Sequence, residues 1–131
     1  MSEILAVFTD SAERGRIVQV LAAAGHDVSS ASTFEEAKRA LKSTSPDFVI
    51  TDERLGAYNG LHLILSARFE NPAVRAMIIT PVLNRGLEAD AAGLNVECVE
   101  QPYDPETWLA MDSMAHTDGG YETPENLTSS N

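Results

Sequence analysis

Cysteine, cationic side chains and long apolar runs are all scarce in this 131-residue sequence, and each scarcity excludes a class of protein. The single cysteine, Cys98, rules out an intramolecular disulfide framework and indicates a reducing compartment. No apolar run approaches the roughly 18 residues that a membrane-spanning helix requires, and the N-terminal Met-Ser-Glu-Ile lacks the basic flank of a secretory signal. We therefore expect a cytoplasmic protein that does not enter a membrane.

Positive charge is the second scarcity. The chain has nine Lys and Arg residues against 20 Asp and Glu residues, for a net charge of −11, and Lys38 and Lys42 are its only lysines. Because nucleic-acid backbones require clustered basic side chains, we expect no nucleic-acid binding. Divalent cations and basic partner surfaces suit such a chain better.

Five short apolar runs alternate with helical patterns, which at this length indicates one domain. The predicted strands are residues 4–9, 28–31, 48–51, 76–80 and 96–100. Regular alternation of this kind predicts a parallel sheet with helices on both faces. The run at 28–31 is the least apolar and therefore suits an edge. These features favour an α/β fold, a flavodoxin-like (βα)5 three-layer sandwich with sheet order 2-1-3-4-5.

Capping signals and spacing predict five helices. Asp10 and Ser11 can each cap the first helix, and two overlapping capping boxes, Ser32 with Glu35 and Thr33 with Glu36, precede the second. The apolar positions of the third helix are Leu61, Ile64, Leu65 and Phe69, which predicts its buried face. The fourth, at 86–92, has few apolar anchors. The fifth begins at Asp104-Pro105 and carries Trp108.

Polar residues follow four of the predicted strands: Asp10, Asp52, Thr80 and Gln101. The carboxyl ends of parallel strands meet at one edge of the sheet, and the predicted strand order places Asp10 and Asp52 side by side there. Asp52 could be a metal ligand, a nucleophile or a cap for the next loop. Two adjacent carboxylates repel each other, and a cation such as Mg²⁺ would remove that cost.

The absence of several sequence motifs excludes some kinds of ligand binding and catalysis. The sequence lacks the glycine-rich loops that bind dinucleotides or nucleotide phosphates, and it has no G-x-S-x-G elbow. Its three histidines, His26, His62 and His116, have no metal-ligand spacing. Attack of Asp52 on phosphorus remains possible, with Thr80 as a hydroxyl donor to the phosphoryl oxygens.

Residues 3 to about 114 resemble a receiver domain of bacterial two-component response regulators, through the stretches 4–10, 48–60, 78–80 and 99–103. The resemblance implies a domain at 1–114, followed by a flexible acidic tail at 115–131. It implies that Asp52 accepts a phosphoryl group from a histidine kinase or phosphotransfer protein, and that Thr80 contacts this group. It further implies a Mg²⁺ site formed by Asp10, Asp52 and the backbone carbonyl of Arg54.

The resemblance also implies a signalling module and not an enzyme, which is a monomer or weak dimer. It would contact an output protein through the face formed by the fourth helix, fifth strand and fifth helix. Four positions depart from the family pattern. Thr9 replaces an acid, Gly56 replaces a proline, Gln101 replaces a lysine and Cys98 replaces an aromatic residue. We therefore expect weak Mg²⁺ binding. The alternative is a pseudo-receiver, an interaction module that does not depend on phosphorylation.

Overall fold

A computed structural model of the chain describes residues 2–101, so the helix predicted from Asp104 and the tail predicted at 115–131 lie outside the described residues. The elements in chain order are β1 (Glu3–Val7), α1 (Ser11–Ala23), β2 (Asp27–Ala31), α2 (Phe34–Thr44), β3 (Phe48–Asp52), β4 (Arg54–Leu55), β5 (Tyr58–Asn59), α3 (Gly60–Glu70), β6 (Arg75–Thr80), α4 (Arg85–Gly93) and β7 (Glu97–Glu100). The strands and helices that the sequence predicts within this part of the chain are all present, with boundaries shifted by one or two residues.

Five of these strands form a parallel sheet in the order β2-β1-β3-β6-β7. The short strands β4 and β5 pair with each other in a separate hairpin, so the order of the sheet is the predicted 2-1-3-4-5. On one side β3 pairs with β1, from Ile4↔Phe48 to Val7↔Thr51. On the other it pairs with β6, ending at Asp52↔Ile79. The strand that carries Asp52 is therefore the centre of the sheet.

Helices cover both faces of the sheet, as the continuous apolar strands predict. One face packs against α1, through Ile17 and Leu21. The other packs against α2, α3 and α4, in two groups of buried side chains. Successive residues of β1 alternate between these layers, since Ile4 and Ala6 face α1 while Leu5 and Val7 face α2. The predicted three-layer sandwich is confirmed.

The buried face of α3 is not the one that the sequence predicts. Its buried side chains include Leu63, Ile64 and Ala67, whereas Leu65 and Phe69 are 48% and 89% exposed. The prediction that Leu65 and Phe69 belong to the buried face is wrong, and the first residue of the helix explains why. Gly60 lies so close to the end of β3 that an added Cβ would be 2.5 Å from the backbone oxygen of Asp52. The positions three, four and seven residues later then face the sheet as well.

Side-chain caps begin the helices where the sequence predicts them. Asp10 caps α1, because its Oδ2 accepts a hydrogen bond from the Glu13 backbone N–H at 2.8 Å. Thr33 caps α2 by accepting from the Glu36 N–H at 3.1 Å. The carboxylate of Glu36 reaches back to the N–H and hydroxyl of Ser32, each at 2.9 Å. Of the two predicted capping boxes, Thr33 with Glu36 supplies the helix cap, while the returning hydrogen bond of Glu36 goes to Ser32.

No helix within residues 2–101 is both long enough and apolar enough to cross a membrane.

Candidate functional site

A cavity of about 420 Å³ opens at the carboxyl edge of the sheet. It lies over the ends of β3 and β6 and beside the beginning of α1. Its lining residues are Thr9, Glu13, Asp52, Glu53, Arg54, Ile79, Thr80, Pro81, Val82, Asn84 and Gln101. Three of the four predicted polar strand ends, Asp52, Thr80 and Gln101, therefore meet in one cavity.

Asp52 is half-buried at the end of the central strand. Its Oδ2 accepts hydrogen bonds from the backbone N–H of Thr9 at 2.9 Å and from the Thr9 hydroxyl at 3.2 Å. Burial raises the pKa of the Asp52 carboxyl above its ordinary value; the hydrogen bonds from Thr9 oppose this, and the negative charge of Glu13 adds to it. Within residues 2–101, no hydrogen bond is made to Oδ1. Asp52 thus has one anchored oxygen and one that is available for chemistry.

Thr80 is fully buried at the end of β6, next to β3. Its hydroxyl oxygen lies 2.6 Å from Oε1 of Glu53 and 3.1 Å from the backbone oxygen of Val82. One hydroxyl proton serves both acceptors, and the shorter distance favours the Glu53 carboxylate. Thr80, the residue predicted to contact a phosphoryl group, therefore already has hydrogen-bond partners within the protein.

Gln101 follows β7 and is held by its backbone and by its side chain. Its backbone N–H donates to the Thr80 oxygen at 2.8 Å. Its side-chain Nε2 donates to Oε2 of Glu13 at 3.0 Å. This second hydrogen bond joins the end of the last described strand to the first turn of α1. Cys98, the other departure in this strand, is half-buried, and burial raises the pKa of its thiol.

Asp10 is the predicted strand-end residue that does not line the cavity. Its side chain is exposed and caps α1, while the preceding residue, Thr9, binds Asp52. Glu13 lies three residues after the cap and brings a carboxylate to the cavity instead. Sequence reasoning did not count Glu13 or Glu53 among the site residues. The capping pattern Asp10-x-x-Glu13 was an available signal for Glu13, because it places that residue in the first turn of a helix that begins at the sheet edge.

The predicted magnesium site consists of two carboxylates, Asp10 and Asp52, and the backbone carbonyl of Arg54. Within residues 2–101, no group of three or more His, Cys, Asp or Glu side chains is placed to hold a metal ion. One oxygen of the Asp10 carboxylate caps α1, while Asp52 and Arg54 both line the cavity. Mg²⁺ binding therefore stays a prediction, and no step of the chemistry below depends on it.

Comparison with solved structures identifies the fold. A response regulator receiver domain from Methanospirillum hungatei JF-1 superposes with a TM-score of 0.83 and 18% identity, covering 92% of this chain and 97% of that one. The Vibrio cholerae chemotaxis protein CheY4 gives a TM-score of 0.78 and 20% identity over 87% and 98% of the two chains. A response regulator receiver protein from Pseudomonas putida gives 0.77 and 24%, over 86% and 95%.

No protein-family model and no curated protein matches the sequence. At these identities the solved structures show the class of fold. The chain has the CheY-like receiver fold, which is the flavodoxin-like arrangement that the sequence predicts.

Proposed function

We propose that the chain acts as a phosphoacceptor receiver in two-component signal transduction. Asp52 would take a phosphoryl group from a phosphohistidine on a histidine kinase or phosphotransfer protein. The observation that carries this proposal is the placement of Asp52 at the end of the central strand, at a cavity shared with Thr80. The shared fold with response regulator receivers supports it.

The arrangement around Asp52 suits a nucleophile. Thr9 fixes the carboxylate through Oδ2, which leaves Oδ1 as the attacking oxygen. A bond forms between Oδ1 and phosphorus while the bond from phosphorus to the donor's imidazole nitrogen breaks, and the imidazole keeps the electron pair. Since only the ionised carboxylate attacks, the raised pKa of Asp52 predicts that uptake declines as the pH falls toward that pKa.

Pairing inside the cavity favours a second candidate, the pseudo-receiver. Thr9 binds Asp52, Thr80 binds Glu53, and Gln101 binds Glu13. The groups that would otherwise contact a phosphoryl group thus already have partners. In this reading the chain signals through protein contacts that do not depend on phosphorylation.

Phosphoryl uptake separates the two candidates. The full chain is incubated with acetyl phosphate, with and without Mg²⁺, and its intact mass is measured. We expect the mass to increase by one phosphoryl group in the wild type and not in Asp52→Asn. We expect Glu53→Gln to retain or increase uptake, because it weakens the charged acceptor that holds Thr80. A wild-type chain that is never modified would contradict the proposal and favour the pseudo-receiver.

The predicted weakness of the signal has its own test. A glutamine at position 101 donates from a neutral amide, so it lacks the positive charge with which a lysine would pair with a phosphoryl group. We therefore expect beryllofluoride to shift the amide resonances near Asp52 and Thr80 while the resonances of residues 99–110 stay nearly unchanged. Gln101→Lys should extend the shifts into that segment. Large wild-type shifts at 99–110 would show that glutamine is an adequate substitute.

A further inference from the structure

The solvent side of α3 carries large apolar side chains away from the cavity. Phe69 is 89% exposed, Leu65 is 48% exposed and Tyr58, just before the helix, is 44% exposed. His62 is exposed as well, and positions 62, 65 and 69 lie along one side of a helix. The helix already buries Leu63, Ile64 and Ala67 on its other side, so the exposed stripe is not part of the core. Contiguous exposed apolar groups of this kind mark interaction sites.

One end of the stripe is ordered by ring contacts. Tyr58 stacks on Phe34 of α2, with ring centroids 4.2 Å apart and planes 13° apart. His62 meets Tyr58 edge to face at 6.4 Å. The ammonium of Lys38 lies 5.8 Å from the centroid of the Phe34 ring. A partner would therefore meet a preorganised aromatic cluster, which lowers the entropic cost of binding.

Positive charge runs along the α2 side of the stripe. Residues 37–46 hold Lys38, Arg39 and Lys42 with no acidic residue, in a chain of net charge −11. Lys38 stands beside the Tyr58 end, as described above. Lys42 shares a small cleft with Ala67 and Glu70 at the other end of α3. The two lysines are four residues apart on one helix and therefore lie on the same side of α2.

We propose that this α2–α3 surface, defined as Lys38, Lys42, Tyr58, His62, Leu65 and Phe69, binds an acidic amphipathic helix of a partner protein. Apolar side chains of the partner, spaced three and four residues apart, would cover Leu65 and Phe69. Carboxylates along one flank of the partner would face Lys38 and Lys42. A second copy of this chain fits less well, because a two-fold contact pairs this surface with itself, and its six residues include no carboxylate to face the lysines.

The test uses the full chain, labelled with ¹⁵N, and two synthetic helical peptides. Both carry leucines spaced three and four residues apart; one has glutamates on a single flank and the other has lysines there. We expect the glutamate peptide to shift amides at 38–42 and 58–69, and the lysine peptide to bind at least about tenfold more weakly. Added salt should weaken the glutamate peptide's binding.

Matched variants locate the contact. Phe69→Ser should weaken binding of the glutamate peptide about tenfold, as loss of an apolar anchor does. Lys38→Glu should weaken it to a similar extent, because it places a carboxylate opposite the acidic flank of the peptide. Arg85→Glu makes the same charge change on α4 and should leave binding unchanged. Thermal melts control for folding, and the exposure of Phe69 predicts that its variant melts like the wild type.

Several outcomes would overturn the proposal. They are absence of binding, shifts outside 38–42 and 58–69, and equal affinity for the two peptides. Self-association of the free chain that Phe69→Ser abolishes would assign the surface to a second copy instead. None of these outcomes depends on phosphoryl uptake at Asp52, so the proposal and the proposed function can fail separately.

Discussion

The centre of the sheet and its β7 edge differ in how completely their side chains are buried. In β3 and β6 nearly every residue is buried, and Val49, Ile50, Thr51 and Ile78 have no exposed surface. In β7 no residue is fully buried, and the adjoining helix α4 buries only Leu87 and Ala91. Asp52 thus sits on the rigid centre, while Gln101 follows the loosely packed edge. The difference places Asp52, the proposed phosphoacceptor, at the well-buried centre, and it makes the β7 edge the part that we expect to move, since movable elements come from regions of low local stability.

The largest expected effect is truncation of the central core. Ile50 is fully buried between α1 and the neighbouring strands, so Ile50→Ala should lower the free energy of unfolding by about 2–5 kcal/mol. Val99 lies at the half-buried edge of the same cluster, and Val99→Ala should cost about 1 kcal/mol. Denaturant unfolding measures the loss of unfolding free energy in each variant. Equal losses would show that the centre and the edge do not differ in packing.

Gly60 gives the next largest effect. An added Cβ would approach the Asp52 backbone oxygen at 2.5 Å and the Thr51 side chain at 2.9 Å, within the rigid centre. Gly60→Ala should therefore cost about 1–3 kcal/mol. Gly93, at the end of α4, has no atom within 4 Å of such a Cβ. Gly93→Ala should stay within about 1 kcal/mol of the wild type, and a larger loss there would contradict the assignment of α4 as the loose region.

Hydrogen exchange compares the two regions without mutation. We expect amides of α4 to exchange at least about tenfold faster than those of α1, a difference of about 1.4 kcal/mol in opening free energy. The reason is that α4 is shorter and anchors to an edge strand, while Ile17 and Leu21 anchor α1 to the central strands. Equal protection of 85–93 and 11–23 would show that the edge is not the movable part.

The smallest effect is electrostatic. Because burial raises the pKa of Asp52 in the folded chain, its contribution to stability is fully present below the ordinary Asp pKa and is lost as the pH rises through the folded pKa. Asn at this position has no charge to desolvate, and its oxygen can still accept from Thr9. Asp52→Asn should therefore melt above the wild type at neutral pH, and this gap should close in acid. A gap independent of pH would point to packing instead.

Sequence patterns predicted the sheet well because its central strands, β1, β3 and β6, are buried on both faces and are therefore apolar along most of their length. They predicted Asp52, Thr80 and Gln101 at one edge for the same reason, since parallel strands end together. They predicted Asp10 as the neighbour of Asp52, whereas the hydrogen bonds to Asp52 come from Thr9, because the backbone path after β1 decides which residue turns toward β3. The hydrogen bond between Thr80 and Glu53 also could not be predicted from the sequence, because it depends on the turn that follows β3.

The rotation of α3 shows the same limit. Apolar residues occur on several sides of this helix, so hydrophobic spacing alone allowed more than one buried face. The close approach of Gly60 to β3 selects one of them, and that contact lies outside any helical pattern.

The backbone hydrogen bond from Gln101 to Thr80 has a consequence for redesign. The backbone N–H of residue 101 lies 2.8 Å from the Thr80 backbone oxygen, and any residue except proline can make this hydrogen bond. The side chain at position 101 therefore starts from the same point whatever its identity. Changing residue 101 should thus alter the charge and hydrogen bonding of the cavity, while the backbone hydrogen bond to Thr80 does not depend on the new side chain. Single substitutions at 101 would give a series of variants whose cavities differ in charge and hydrogen bonding at one position.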